Sequence, residues 1–426
     1  MTAHPIARRL AELGEAGAKL RRRPARETLE ALAAVLDGWR KEGSPWRRAL
    51  EAELPEATGF SAPVVAEGLR LGLASWSGEK LLELVAREIG PEDRLGAAPA
   101  SMVSGFDTTA VFLAGAIPMP TLLALVAPLV LRSPVLAKVA SRDPVTARHV
   151  ARSIAECDAL LGQCVDCVEF ARGDDDSADA LLTADCIVAT GSDETVAAVG
   201  ARVRPPRRLV TYGHRLSVAI VGSEALRGSG LRDAAGRLAL DVALWDQLGC
   251  LSPVAAYVVD PGVAAADAFA EALAAALADT EERLPRGAVD KAATARIALE
   301  RADAEMRGAA GARVAVHAGA GTSWTVVRED APRVRPAPLH RFVRVLPASD
   351  NAALIDALAP LGPHLAAAAL AGFGGDTHAL ARRLADLGAS RICALGAMQR
   401  PPLAWRHDNR GVLTPLARFA DLEVGG

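Results

Sequence analysis

The sequence predicts an α/β fold in which parallel sheets are wrapped by helices. Three observations carry this. From about residue 96 onward, short apolar strands alternate with helical segments, the pattern that a parallel sheet with crossover helices requires. Before that point the chain reads as helix only. With 426 residues, 51% of them hydrophobic, two or three domains with sizeable cores are expected.

The elements follow in order. Arg26–Trp39, Trp46–Leu54, Pro63–Leu73 and Gly78–Glu88 read as helices broken by Gly and Pro, and the basic run Lys19–Arg23 as a solvated helix face. This region carries no chemical motif and suits packing on the main body or a partner surface. A first α/β unit then reads strand Val111–Ile117, helix Met119–Leu131, strand Val135–Val139, helix Pro144–Leu160, strand Cys167–Phe170, helix Ser177–Leu182, strand Cys186–Thr190, helix Asp193–Val199 and an edge at Leu209–Val210. A second unit reads strand Val218–Val221, one long helix Arg227–Leu248, strand Val254–Val259, an Ala-rich helix Val263–Leu284, and a further helical stretch Val289–Met306. Short strands Arg313–His317 and Trp324–Val327 surround a hairpin turn at Gly319–Ser323. Strand Phe342–Leu346, helix Asn351–Ala359, an Ala-rich stretch His364–Leu370 readable as strand or helix, and helix Thr377–Leu387 complete it. The last thirty residues read as an irregular closing arm.

Composition narrows the function classes. A net charge of −3 provides no field for nucleic acid or anionic lipid, and 4% aromatic residues provide few platforms for stacked bases. The charged stretch Met1–Gly43 has no apolar segment of the secretory kind. Six cysteines do not make a disulfide framework, and a cytoplasmic location is expected. Thr108–Leu131 is uncharged and long enough to span a bilayer, but Pro118, Pro120, Pro128 and Gly115 suit a strand, a turn and a buried helix better, so no membrane span is expected.

Neither a GxGxxG fingerprint nor a Walker A sequence is present. Gly372-Phe373-Gly374-Gly375 reads as a helix-entry turn. Thr190-Gly191-Ser192 ends a strand and opens a helix, where backbone N–H groups and a hydroxyl suit a pyrophosphate or, more simply, Ser192 caps the helix. Cys164 and Cys167 have CxxC spacing without a second pair or nearby histidines, so no metal is expected. Cys157, Cys186 and Cys393 read as small core or surface residues. Cys250 differs: it follows a helix and Gly249 and precedes Leu251-Ser252-Pro253, a junction where substrate can reach a thiol.

Four ordered segments, Ala114–Pro118, Ala137–Pro144, Ala189–Glu194 and Trp245–Pro253, resemble the aldehyde dehydrogenase superfamily. The last of them, with the ending Pro401–Asp408, is most similar to LuxC-type acyl-CoA reductases, the fatty acid reductase branch known from bacterial bioluminescence. The resemblance covers about residue 95 to the end. It implies an aldehyde dehydrogenase-like architecture: an N-terminal helical region (1–95), a Rossmann-like nicotinamide cofactor domain (96–213), a second α/β catalytic domain (214–395) and a closing arm (396–426). Lys138 would bond the adenosine ribose; Ser141 beside Arg142 would tolerate a 2′-phosphate and so favour NADPH; Thr190, Gly191 and Ser192 would hold the pyrophosphate. His340 and Arg341 would close over the nicotinamide ribose, and His407 and Asp408 would shape the acyl or carrier entrance.

Cys250 would be the nucleophile that takes the acyl group from acyl-CoA or acyl carrier protein. The glutamate base of hydrolytic members has no carboxylate counterpart in Thr211–Arg215, which fits thioester reduction to aldehyde. Ala116 stands where the family commonly has an oxyanion-binding asparagine, a loss worth roughly 3 kcal/mol; His214 is a candidate substitute. A reductase of another acyl donor (an acyl phosphate or a semialdehyde) and a non-catalytic subunit of an acyl-processing complex are the alternatives. Self-association through the closing arm is expected.

Overall fold

A computed structural model describes residues 4–95 and 101–423. Five helices come first: α1 (Pro5–Arg22), α2 (Ala25–Arg40), α3 (Pro45–Thr58), α4 (Ala62–Gly72) and α5 (Gly78–Glu88). Then follow β1 (Ser101–Ser104), β2 (Thr109–Phe112), α6 (Pro118–Val130), β3 (Val135–Lys138), α7 (Thr146–Cys157), α8 (Ala159–Gly162), β4 (Val165–Val168), α9 (Asp175–Leu181), β5 (Cys186–Thr190), α10 (Asp193–Arg202) and β6 (Arg208–Tyr212). The second half contains β7 (Leu216–Gly222), α11 (Gly230–Ala243), β8 (Pro253–Val259), α12 (Val263–Arg283), α13 (Lys291–Ala309), β9 (Val314–Ala318), β10 (Thr325–Glu329), β11 (Phe342–Ala348), α14 (Asn351–Leu358), β12 (Leu365–Ala371), α15 (Thr377–Leu387), β13 (Arg391–Ala394) and β14 (Arg418–Asp421). The chain forms two compact units. One holds residues 1–58, 72–214 and 402–426; the other holds 59–71 and 215–401.

The first unit is built on a five-stranded parallel sheet of order β4-β3-β2-β5-β6. Its inner strands β3, β2 and β5 are mostly buried and apolar, while the edge strands β4 and β6 carry Asp166 and Arg208 and are partly exposed. α1 starts at Pro5, with His4 accepting the Ile6 N–H, and lays Ile6, Leu10 and Leu13 at helical spacing against Ala110, Leu136 and Leu181. Each such side chain contributes about 1.5–3 kcal/mol on burial. α2 is tied to α7 by the buried bond from Trp39 Nε1 to Ser153 Oγ, 2.9 Å. Helices α1 and α2 thus pack on the first unit, whereas residues 59–71 of the expected N-terminal helical region group with the second. The arm returns to the same unit: β14 pairs antiparallel with β1, and Glu88 accepts the N–H groups of Val412, Leu413 and Thr414.

The second unit holds a seven-stranded sheet of order β13-β12-β7-β8-β11-β10-β9, parallel except for the β9–β10 hairpin. The Ala-rich stretch is strand β12, whose fully apolar sequence is covered on both faces. Beyond the expected strands, Arg391–Ala394 adds an edge strand. The expected long helix Arg227–Leu248 is corrected: it begins at Gly230 and ends at Ala243. No helix among the described residues is long and apolar enough to cross a membrane.

Candidate active site

After α11 the backbone turns left-handed at three consecutive non-glycine residues, Trp245 (φ 55°), Asp246 (49°) and Gln247 (64°). Such a conformation costs roughly 1–2 kcal/mol per residue, so the surroundings must hold it. A second left-handed run, Leu339, His340 and Arg341 (φ 64°, 57° and 66°), precedes β11. The two runs are laced together. Asp246 Oδ1 accepts from Arg341 Nε (2.9 Å) and Nη2 (2.6 Å), and both side chains are buried. Arg341 donates further to Glu281 Oε2, Leu284 O and Ala243 O. Gln247, wholly buried, accepts the Phe342 N–H and donates to the carbonyls of Phe342 and Pro253. These bonds divert the chain out of α11, which is why the helix stops seven residues before Cys250.

Cys250 is exposed, but what surrounds it is not. Its carbonyl accepts from Ser217 Oγ at 2.7 Å, Leu251 and Ser252 are buried, and Ser252 Oγ accepts from Gln399 Nε2 at 3.0 Å. The turn therefore presents one thiol from a rigid base, the arrangement a nucleophile needs. Arg391 is electrostatically coupled to it. Burial lowers the guanidinium pKa, while Cys393, Asp241 and Cys250 act in the opposite direction. Burial pushes the thiols of Cys164, Cys167 and Cys186 up to about 12 and that of Cys393 up to about 11. No cluster of His, Cys, Asp or Glu among the described residues could hold a metal ion.

In the first unit, strand order reverses between β2 and β5, the switch point at whose carboxyl edge ligands of α/β sheets bind. Lys138 ends β3 on that edge; burial lowers its pKa, and its Nζ lies 5.7 Å from the Phe170 ring centroid. Ser141 and Arg142 are exposed in the turn closed by Asp143 N–H to Ala140 O. Asp143 in turn caps α7 through the N–H groups of Val145 and Thr146. Thr190 ends β5. The Gly191 N–H donates to Tyr212 O, and Ser192 Oγ caps α10 by accepting the Thr195 N–H. Ser192 thus fulfils the simpler of its two expected roles. Ala116 is buried in the loop from β2 to α6, where Gly115 takes φ 86°.

The remaining expected residues are dispersed. His214 is exposed at the end of the first unit, its N–H held by Asp193 Oδ1 at 2.8 Å. His407 stacks on Tyr212 with ring centroids 4.8 Å apart and planes 2° from parallel, and the Trp405 ring lies 4.8 Å from the same imidazole, tilted by 40°. The Asp408 side chain is buried, 3.8 Å from His407 Nε2. His340 and Arg341 belong to the second unit. The Arg341 side chain is only 1% exposed and bonds Asp246, Glu281 and two carbonyls, a positioning role beside the cofactor contact implied for it. Sequence reading missed Asp246, Gln247, Ser217, Gln399 and Arg391. The first two sit inside the Trp245–Pro253 segment; the others carry no local signal.

The family model "Acyl-CoA reductase (LuxC)" matches residues 21–420. Among curated proteins none matches. Solved structures of the same fold include an NAD-dependent benzaldehyde dehydrogenase from Corynebacterium glutamicum (TM-score 0.72, 17% identity, 98% of this chain and 90% of that one). A putative aldehyde dehydrogenase from Burkholderia cenocepacia gives TM-score 0.74 at 16% identity, over 98% and 90% of the two chains. Lactaldehyde dehydrogenase from Escherichia coli gives 0.72 at 14%, again over 98% and 90%. At these identities the likeness is one of fold, the aldehyde dehydrogenase fold.

Proposed function

From the premise that this chain belongs to the LuxC acyl-CoA reductase family, we propose that it reduces an acyl thioester to an aldehyde with NADPH, through an acyl-enzyme on Cys250. The observation that carries the reading is an exposed thiol that directly follows a laced, left-handed turn, a costly geometry that a packing residue does not need.

The Cys250 sulfur attacks the acyl carbon; the new C–S bond replaces the old one and coenzyme A or carrier thiol leaves with the proton. One thioester replaces another, so the exchange is nearly isoenergetic. A reduced nicotinamide, when bound, supplies the hydride that turns this thioester into a thiohemiacetal. Collapse of the thiohemiacetal breaks the C–S bond, releases the aldehyde and returns Cys250. Backbone N–H groups of the Cys250 turn stabilise the oxyanion, with His214 as the side-chain candidate in place of the donor lacking at Ala116. Ser217, Gln247 and the Asp246–Arg341 pair keep the thiol in place through both steps. The stretch Thr211–Arg215 holds no carboxylate to activate water, so the acyl-enzyme persists.

The chain's own residues suit a dinucleotide. Lys138, with its lowered pKa, and the exposed pair Ser141 and Arg142 stand at the carboxyl edge beside the switch point, and no acidic side chain stands at 141 or 142 to repel a 2′-phosphate. Thr190 and the start of α10 lie on the same edge. His340 is kept as a candidate for the nicotinamide ribose, and His407 and Asp408 for the acyl or carrier entrance. A second reading, a non-catalytic subunit, draws on Ala116.

The test is NADPH oxidation with a panel of acyl-CoAs and acyl carrier proteins, aldehyde being trapped and identified, for wild type and Cys250→Ala. Aldehyde from wild type and none from the variant is expected. Turnover that survives without Cys250 rejects the covalent path, and no turnover on any thioester favours the second reading.

A further inference from the structure

The N-terminal helices carry no chemical motif, yet one of them is built into the catalytic unit. The chain enters that unit at Gly59 and leaves it at Leu71, some 140 residues before the unit's next segment begins at Arg215. Phe60, Val64, Val65 and Leu69 are all buried there. This segment meets the Cys250 turn at two points. An ideal Cβ on Gly68 would lie 2.3 Å from Trp245 Cζ2 and 2.5 Å from Cε2, so α4 rests directly on the six-membered ring of the indole. Phe60 meets the same indole edge-on, with centroids 5.5 Å apart at 67°. The second point is Asp246. Its Oδ2 accepts the Gly287 N–H at 3.0 Å, and Gly287 is pressed so tightly on Gly59 that a Cβ would lie 2.1 Å from the Gly59 carbonyl oxygen. The Ala288 N–H donates to that same oxygen at 2.7 Å, and Ser61 Oγ donates to Pro285 O.

Trp245 is wholly buried at φ 55°, and its indole N–H has no hydrogen-bond partner among the described residues. Shape alone therefore holds it. A glycine is required at 68 because any side chain there would displace the ring, and the ring belongs to the first left-handed residue of the turn that ends at Cys250.

We infer that Gly68 and Phe60 are positioning residues for the nucleophile: the 59–71 segment is the back wall that seats Trp245 and, through it, sets the reach of the Cys250 thiol. This rests on the reading of Cys250 as the nucleophile. The readout is chosen to be independent of that reading: the rate at which iodoacetamide alkylates Cys250, followed on its own peptide by mass spectrometry, with Cys157, the other exposed thiol, as internal control.

Gly68→Ala is expected to change the Cys250 alkylation rate by about tenfold or more while Cys157 reacts as before, and to lower kcat on the order of 10²-fold, the effect of a displacement near 1 Å at a reacting group. Trp245→Phe removes the ring atoms nearest Gly68, so the double variant Gly68→Ala/Trp245→Phe is expected to recover most of the loss. Phe60→Leu, which adds no clash, is expected to shift the Cys250 rate a few-fold in the same sense. Unchanged Cys250 alkylation in folded Gly68→Ala overturns the inference, and so does a loss that the double variant does not rescue. If Gly68→Ala does not fold, an unchanged rate in Phe60→Leu overturns it. Altered Cys250 alkylation in the variants, when wild type itself turns over no thioester, would uphold the positioning role and sink only the proposed reaction.

Discussion

Arg341→Met is the substitution that separates the two roles open to this residue. In the structure Arg341 makes five bonds: two to Asp246 Oδ1 (2.9 and 2.6 Å), and one each to Glu281 Oε2 (2.7 Å), Leu284 O (2.8 Å) and Ala243 O (3.2 Å). Methionine fills similar space with none of them. Asp246 is left with the Gly287 N–H alone, a buried carboxylate without its cation, and two main-chain carbonyls lose a donor. Removing one partner of such a pair costs about 3–5 kcal/mol. For a unit of this size that lowers Tm by roughly 10 °C. Burial already raises the Asp246 pKa, with Arg341 the first of the groups opposing it. Without Arg341 the pKa rises further. The folded state then binds the Asp246 proton at a pH where the unfolded chain has released it, so stability falls as pH rises from the unfolded pKa to the folded one. The loss in Tm should therefore be larger at pH 8 than near pH 4, the pKa of the unfolded carboxylate being about 3.9. Thermal melts by circular dichroism at both values measure it, with Cys250 alkylation alongside. A variant that melts within 2 °C of wild type, but whose KM for NADPH has risen, would refute the positioning role and return Arg341 to the cofactor.

Three further outcomes follow from other parts of the molecule. Burial pushes the Asp241 carboxyl up to about 7 although it accepts the N–H groups of Gly396 and Met398; because this folded pKa lies above the unfolded one, its contribution to stability is full below about pH 4 and declines towards pH 7, and Asp241→Asn should flatten the pH dependence of Tm across that window. Arg142→Ala should raise KM for NADPH about 10- to 100-fold, the worth of a hydrogen bond to a charged group, and leave KM for NADH nearly unchanged; equal effects on both would remove Arg142 from 2′-phosphate recognition. Glu88→Ala leaves three arm N–H groups without their acceptor, a cost of a few kcal/mol, and limited proteolysis should then cut within residues 402–423 well before wild type is cut; identical digestion kinetics would show that β14 alone holds the arm.

The class of fold, the order of nearly all strands and helices, the hairpin at Gly319–Ser323 and the candidacy of Cys250 were determined by the sequence itself. The signals were local: apolar runs bounded by Gly and Pro, and a handful of ordered segments. Tertiary structure decided three things. The stretch Leu365–Ala371, five of its seven residues alanine, suits a helix by propensity and is a strand because β7 and β13 satisfy its backbone on both sides. Arg227–Leu248 has the periodicity of one helix, and its end at Ala243 is set by Arg341, almost a hundred residues away, bonding Ala243 O and Asp246. And the turn that presents Cys250 is held by Ser217, Gln247, Gln399 and the packing of Gly68 on Trp245, residues spread over more than three hundred positions. Propensity and spacing act within a turn or two of chain; a left-handed run of three bulky residues is unfavourable on every local measure and exists only where buried partners from distant segments overdetermine it.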